Sequence, residues 1–183
     1  DPIGGPNSGN GWSSAGGISV RASSAHGMRS WVQSIDGSGM DAATGLLHTH
    51  LNVNSTMSLT GNNPGPVTRV GTAVGSHWVE YTLDDTYDLD EIWIWNYNEL
   101  HNTAFGMKEV KIEVSTSGGF TAGDWTLVYD GQIPSASANG NGDSLRDLSL
   151  PLGGISARLV VITTDYGVEK NHSNGVFSEV GLS

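Results

Sequence analysis

The stretch that decides the fold is residues 108–114, which read KEVKIEV. Its three apolar residues alternate with charged ones, so that Lys111 and Glu113 share the opposite face. An extended chain points successive side chains to opposite faces, and a period of two therefore predicts a strand. One face of this strand is expected to lie in a core and the other in solvent.

Similar segments recur along the chain, separated by clusters of Gly, Asn, Asp and Pro that favour turns. The predicted strands are residues 18–23, 56–60, 77–83, 91–96, 107–116, 125–129, 145–150, 158–164 and 176–182. Residues 158–164 (RLVVITT) are apolar on both faces, which predicts a central strand. Helical periodicity is hard to find. Many short strands predict an all-β fold, a single β-sandwich of the jelly-roll type.

Length and composition predict one domain behind an N-terminal arm. A chain of 183 residues is long enough to bury a core without disulfides, and its sequence contains no cysteine. Residues 1–16 consist mainly of Gly, Ser, Asn and Pro, and we expect them to form a linker or arm. Residues 17–183 are expected to form the β-sandwich domain. Because the chain begins with Asp1, a processed protein or a piece of a longer one is expected.

The charge balance excludes some classes of partner. Eight basic and 19 acidic residues give a formal net charge of −11, whereas a nucleic-acid partner requires a basic surface. No apolar run approaches the roughly 20 residues of a membrane-spanning helix. The 26 glycines and the charged fraction of only 15% are typical of loop-rich extracellular β-proteins, so a secreted location is expected.

Four stretches, in this order, carry a resemblance to a known family. They are residues 34–37 (SIDG), 77–83 (HWVEYTL), 110–119 (VKIEVSTSGG, followed by Trp125) and 177–180 (FSEV). From about Ser19 to Ser183 the chain resembles the discoidin, or coagulation factor V/VIII type C, domains and the related family 32 type carbohydrate-binding modules. The resemblance implies a galactose-binding-like jelly roll of eight strands, commonly with one structural calcium ion. It also implies that loops at one end of the domain hold a sugar, lipid or protein ligand.

The sequence departs from the family pattern in two places. Residues 42–76 form a longer segment than the family usually has there. The loop after Trp95 lacks the arginine that many sugar-binding members have at that point, and contains Asn and His instead. The identity of the ligand is therefore not carried over from the family.

The resemblance also implies a calcium site. In it, Asp36 and Glu179 would supply carboxylate oxygens, and Gln33, Ser38 and Ser178 would supply backbone carbonyls, with Asp41 or Thr49 completing the shell. Calcium prefers six to eight oxygen ligands, which such a loop can provide. In the alternative interpretation, Asp36 belongs to an ordinary turn and Glu179 is a solvated residue at a sheet edge. The role of the cation would be structural.

Two loops are candidates for glycan contact. In the first, residues 96–102, the candidates are Asn96, Asn98, His101 and Asn102, and in the second, residues 170–174, they are Asn171 and His172. Asn side chains donate and accept hydrogen bonds as sugar hydroxyls do, and a His ring can also stack on a sugar. Both loops are also open to interpretation as ordinary solvated turns. Trp93 or Trp95 can serve as a sugar platform, although alternate aromatic residues on a strand more often lie in the core.

The pair His48 and His50 has the i, i+2 spacing of a transition-metal site on a strand. Cupins use such a pair with a Gly before it and a Glu after it, but Ala42 and Asn54 stand at those positions. A weak surface pair, or His48 in the glycan-binding loops, is the better interpretation.

The sequence predicts a binding function. The acidic residues 84–91 join two predicted strands and are expected to form a solvated turn, although a glycosidase acid/base pair was considered. We find no GxSxG motif and no phosphate-binding loop. The leading hypothesis is a non-catalytic carbohydrate-binding module with structural Ca²⁺, secreted and linked to a larger polysaccharide-active enzyme. The alternative is an extracellular structural or adhesion subunit that makes protein contacts through the same jelly roll.

Overall fold

The computed structural model describes residues 12–15, 17–27, 29–40, 57–61, 77–99, 101–119, 121–136, 145–164 and 169–183. In these ranges it has eight strands: β1 (Trp12–Ala15), β2 (Ile18–Ala22), β3 (Ser58–Leu59), β4 (His77–Ile94), β5 (Glu109–Ser115), β6 (Thr126–Gln132), β7 (Leu148–Thr164) and β8 (Gly181–Leu182). Three short 3-10 helices, at Trp31–Ser34, Thr103–Phe105 and Ala122–Asp124, complete the described elements. None of the described helices is long and apolar enough to cross a membrane.

The first layer is a six-stranded antiparallel sheet in the order β1-β2-β4-β7-β5-β6. Its inner face contributes Val20, Val79, Ile112 and Ile162, which lie next to one another in register and are at most 3% exposed. The alternation predicted for β5 is therefore confirmed on its apolar side. The second half of β7 is central, as its apolar sequence predicted, because β4 and β5 flank it.

β4 and β7 are longer than predicted. Each was expected to be two strands, but each is one strand, with 18 residues in β4 and 17 in β7. The acidic segment expected to be a turn is instead extended and exposed, and Asp88 pairs with Ser156. The register shifts between Thr82 and Tyr87 and between Leu89 and Glu91. At such irregularities a strand can bend from one layer into the other.

The second layer contains β3 and β8. A bridge between Asn96 and Leu182 joins β8 to the chain that leaves β4, so the far ends of β4 and β7 extend this layer. The main hydrophobic core lies between the layers and includes Trp31, Ile94 and Val180. The structure is thus an all-β sandwich, as predicted.

The outer face of β5 differs from the expectation. Lys111 is partly exposed and its ammonium lies 3.7 Å from Asp130 Oδ2, but Glu113 is fully buried. Glu113 lies between Val161 on β7 and Leu127 on β6, in the interior of the sheet rather than at its edge. The alternating pattern therefore predicted the direction of this side chain but not its burial.

The predicted arm contributes a strand. Trp12–Ala15 pairs with β2, from Trp12 opposite Arg21 to Ala15 opposite Ile18. Gly17, with a φ of +81°, lies in the turn between the two strands, a conformation that favours glycine. The rest of the predicted arm, residues 1–11 and 16, lies outside the described residues. The division into arm and domain stays a prediction.

Gly181 tests the packing of the second layer. A Cβ at this position would lie 2.4 Å from Ser58 O and 2.5 Å from Tyr97 Cδ2. We expect Gly181→Ala to lower the free energy of unfolding by about 1–3 kcal/mol, because overpacking forces neighbours apart. Gly123→Ala is the control, since the nearest atom to its Cβ would be Thr121 Oγ1 at 3.8 Å. Equal urea-unfolding midpoints for the two variants would contradict the prediction.

Candidate ligand-binding end and cation loop

The structure brings the two predicted glycan loops together. Met107 forms a bridge with Asn171, and the backbone N–H of His172 donates to Gly106 O at 3.3 Å. The imidazole of His172 also lies 2.9 Å from Ile133 O, which adds the segment after β6 to the same end. We call this end of the sandwich, formed by residues 96–107, 133–136 and 171–177, the loop end.

Asn96 holds the first loop from inside. Its side chain is fully buried, and its Nδ2 donates to Met107 O and to Pro134 O, both at 2.8 Å. Its Oδ1 accepts from the backbone N–H of Tyr97 at 2.9 Å. Gly106 packs directly on this amide, because a Cβ there would lie 2.6 Å from Asn96 Oδ1. A ligand contact from Asn96 would require these hydrogen bonds to break.

Asn171 plays the same part in the second loop. It is buried, and its Nδ2 donates to Phe177 O at 3.2 Å and to Glu179 O at 2.7 Å. Its Oδ1 accepts from the N–H and the hydroxyl of Ser173, at 3.1 and 2.6 Å. The amide therefore closes the loop that leads into β8, and it too is engaged within the fold.

The two candidate histidines differ in environment. His172 is half-buried, and burial lowers the pKa of its imidazole, with the nearby Lys108 ammonium acting in the same direction. The neutral ring can donate from Nε2 to Ile133 O. His101 is exposed and has a φ of +66°, which places it at the tip of a tight turn. Asn102 precedes the 3-10 helix Thr103–Phe105 and makes no side-chain cap with it.

An aromatic pair at the loop end was not predicted from the sequence. The rings of Phe105 and Phe177 lie with centroids 4.4 Å apart and planes inclined by 37°. Both side chains are only partly buried, and Phe105 rests edge-on against the buried ring of Tyr97 at 5.7 Å. The sequence offered a weak indication, namely a phenylalanine in each of two polar loops. Their meeting depends on the fold.

An arginine reaches the first loop from elsewhere in the chain. Arg29 Nη1 lies 2.7 Å from Glu99 Oε2 and also donates to the hydroxyl of Tyr97. That hydroxyl in turn donates to Glu99 Oε2 at 2.5 Å. Glu99 is 5% exposed, so the ion pair is largely removed from water. The arginine missing from the loop sequence is thus replaced nearby in space by one that Glu99 neutralises.

Asn98 is the least expected residue of the loop. It is 1% exposed, and its amide nitrogen and oxygen have no hydrogen-bond partner among the described atoms. Its backbone N–H donates to Ser183 Oγ at 3.1 Å. A buried amide with unused donors and acceptors calls for a partner such as water or a ligand. His48 and His50 lie outside the described residues.

The predicted cation loop has an oxygen-rich geometry. Asp36 Oδ1 accepts from the backbone N–H of Ser38 at 2.8 Å, in an Asx turn. The Glu179 carboxylate accepts from the N–H and the hydroxyl of Ser178, at 3.1 and 3.3 Å. Both segments are anchored on the strand β3 and its flanks: Ser58 Oγ donates to Ser30 O, and Thr60 N to Val180 O.

These donors fit a hard cation in chemistry, since carboxylates and carbonyls are the ligands calcium prefers. Within the described ranges, no group of three or more His, Asp or Glu side chains converges. A site there would therefore need backbone carbonyls such as those of Gln33 and Ser38. The predicted ligands Asp41 and Thr49 lie outside the described residues.

The fold has counterparts among solved structures. Over 90% of this chain, it matches a GH31 CBM32-2 module bound to GalNAc (15% identity, TM-score 0.56, 92% of that chain) and the family 32 module of C. perfringens NanJ in complex with galactose (16%, 0.53, 88%). It also matches a fucolectin from striped bass (Morone saxatilis) serum at 14% identity and TM-score 0.55, over 91% of this chain and 43% of that one. A family 89 glycoside hydrolase from Clostridium perfringens matches at 18% identity and TM-score 0.51, but over only 13% of its own length.

These likenesses define the fold as that of the discoidin-like, galactose-binding-like β-sandwiches, which the four sequence motifs predicted. No protein-family model matches the chain, and no curated protein matches it in sequence. The similarity therefore lies in the fold, at sequence identities too low to transfer individual residues.

Asp147 provides a pH test of the loop end. Its Oδ2 accepts from the backbone N–H of Asn96 at 2.7 Å, and burial nevertheless raises its pKa from 3.8 to about 6. Between these values the native state binds more protons than the unfolded state, so this group stabilises the fold at low pH, and its contribution is lost as the pH rises through about 6.

The variant Asp147→Asn keeps an acceptor for Asn96 but removes the titration. Unfolding free energies measured from pH 4 to pH 8 should give a wild-type-minus-variant difference that falls as the pH rises. The opposite effect expected from His172 is present in both proteins and cancels. A difference that is constant with pH would rule out the titration of Asp147 in this range.

Proposed function

We propose that this domain binds a glycan at the loop end and does so without catalysing a reaction. The observation that carries the proposal is the partly exposed pair of rings, Phe105 and Phe177, beside the exposed polar tip formed by His101 and Asn102. A sugar presents an apolar face to a ring and hydroxyls to donors and acceptors, so these side chains suit it. Buried Asn96 and Asn171 keep the loops in place.

The printed ligands of the structural neighbours support this class of ligand. Modules of the same fold are described in complex with GalNAc, with galactose and with GalNAc-β-1,3-galactose. At the loop end of this chain the one arginine that approaches, Arg29, is ion-paired with Glu99, so a neutral sugar fits better than an acidic one. A formal net charge of −11 acts in the same direction.

The setting we propose is extracellular, as a module joined to a polysaccharide-active enzyme. A domain of this fold makes up a small part of a family 89 glycoside hydrolase, 13% of which this chain matches. A single shallow site binds weakly, and attachment to an enzyme would raise the effective concentration at the polymer.

We also propose that a structural Ca²⁺ is held by Asp36 and Glu179 together with backbone carbonyls of Gln33, Ser38 and Ser178. Asp41 and Thr49 remain the proposed further ligands. When bound, the ion would neutralise two carboxylates and tie the turn after the first 3-10 helix to the start of β8.

The glycan proposal is tested by a glycan array and a pull-down on insoluble polysaccharides, each with calcium and with a chelator. Selective retention of the wild type on one polymer is expected. The double variant His101→Ala, Phe177→Leu should lose this retention, because one stacking ring alone contributes about 0.5–1.5 kcal/mol, or up to about tenfold in affinity.

Tyr87→Ala is the matched control, since Tyr87 is an aromatic residue 47% exposed on β4, in the acidic segment. It should leave retention unchanged. Retention of the double variant equal to that of the wild type would place the site elsewhere. Failure of the folded wild type to bind any glycan would favour the adhesion alternative.

The calcium proposal is tested by thermal unfolding. Adding calcium should raise the melting temperature of the wild type, and a chelator should lower it, because an ion that binds only the native state stabilises it. Asp36→Ala and Glu179→Ala should melt lower and lose the response to calcium. Asp85→Ala, at an exposed carboxylate, should keep it. A wild-type melt that ignores both calcium and chelator would refute the proposal.

A further inference from the structure

A cavity of about 190 Å³ lies between the two layers of the sandwich, away from the exposed loop tips. Its lining includes Ile18, Tyr81, Ile92, Trp93, Trp95 and Leu182, from β2, β4, β8 and the residue after β4. Protein interiors are close-packed, and voids larger than a water molecule are few in each domain. A space of this size is therefore large enough to be a binding site.

The cavity is reached from the side where Trp93 lies. This residue is 42% exposed although it lines the cavity. Its ring meets that of Trp95 edge-on, with centroids 6.3 Å apart and planes at 76°, and the guanidinium of Arg146 lies 4.3 Å from its centroid. The two tryptophans thus form an ordered aromatic wall rather than a loosely packed gap.

The size and the lining indicate an aromatic occupant. An apolar cavity of about 150 Å³ accommodates benzene, so this one has room for a ring with a short substituent. Trp93, Trp95 and Tyr81 supply three rings, and aromatic rings gain from edge-to-face and offset contacts with one another. The described lining contains no charged side chain, which favours a neutral ligand over an ion.

The polar groups at the cavity are few and are not equally occupied. The hydroxyl of Tyr81 lies 3.0 Å from Ser34 Oγ, and burial raises the pKa of this phenol to about 12, so it stays protonated. Trp95 Nε1 is buried and has no acceptor among the described atoms. A buried N–H without a partner is uncommon, because it has lost its hydrogen bond to water.

We propose that this cavity is a second binding site, for a neutral monocyclic aromatic compound that carries a carbonyl or hydroxyl oxygen. The ring fills the space between the layers against Trp93 and Tyr81, and the oxygen accepts a hydrogen bond from Trp95 Nε1. The site is distinct from the loop end, and it requires neither the glycan nor the calcium proposal to hold.

The test uses two probes of nearly the same shape, acetophenone, which has an acceptor, and ethylbenzene, which has none. Both are titrated into ¹⁵N-labelled protein while the indole N–H resonances of the six tryptophans are followed. Acetophenone should bind saturably and shift the Trp95 indole resonance downfield, as a new hydrogen bond requires. The variant Trp95→Phe assigns that resonance by its absence.

Two variants separate the parts of the proposal. Trp95→Phe keeps an aromatic wall but removes the donor, so acetophenone should bind about tenfold more weakly while ethylbenzene changes by less than about twofold. Leu83→Trp, with a larger side chain on the lining, should abolish binding of both probes. If this variant does not fold, Ile18→Phe serves the same purpose. No saturable binding to the wild type, or binding that persists in the folded filled variant, would overturn the proposal.

Discussion

The pairing of β4 with β7 is the constraint on which the rest of the structure depends. The two strands stay paired from His77 and Thr164 at one end to Ile94 and Leu148 at the other, apart from two register shifts. Because they run through both layers, they set the separation and the relative direction of the sheets. β2 and β5 extend the pair at one end, and β8 approaches it at the other through the bridge to Asn96. The core and the aromatic-walled cavity both lie in the space that this pair encloses.

The loop end is held by the same strands through polar contacts. Asn96 follows β4 directly, and its buried amide fixes the backbone near Met107 and Pro134. Asp147, just before β7, accepts the backbone N–H of Asn96. The irregular loops are therefore tied to the regular part of the fold by hydrogen bonds that water does not reach, which are costly to leave unmade.

Much of the fold could be predicted because the pattern is local. The alternation in β5 and the apolar run in β7 express the pleat and the burial of one strand at a time. The extended run through Asp88 could not be predicted, since an acidic segment usually forms a turn, and only pairing with β7 keeps it straight. Burial of Glu113 likewise depends on its neighbours across the sheet rather than on its own sequence.

The candidate site was predicted less well than the fold. The sequence placed the two loops side by side, but it did not separate the asparagines that hold the backbone from the residues at the surface. It also missed Phe105, Phe177 and Arg29, because their contacts join segments far apart in the chain. Residue type and loop position identify a region, whereas the direction of each side chain is decided by tertiary packing.

The internal bonding of Asn96 and Asn171 has a consequence for how such a domain can diverge. Because these two amides carry the shape of the loops, residues at the tips, such as His101 and Asn102, contribute little to holding the backbone. Substitutions at the tips can then accumulate with little loss of stability, and descendants of one scaffold can acquire different ligand preferences. The same separation makes the loop tips a suitable place for a randomised library.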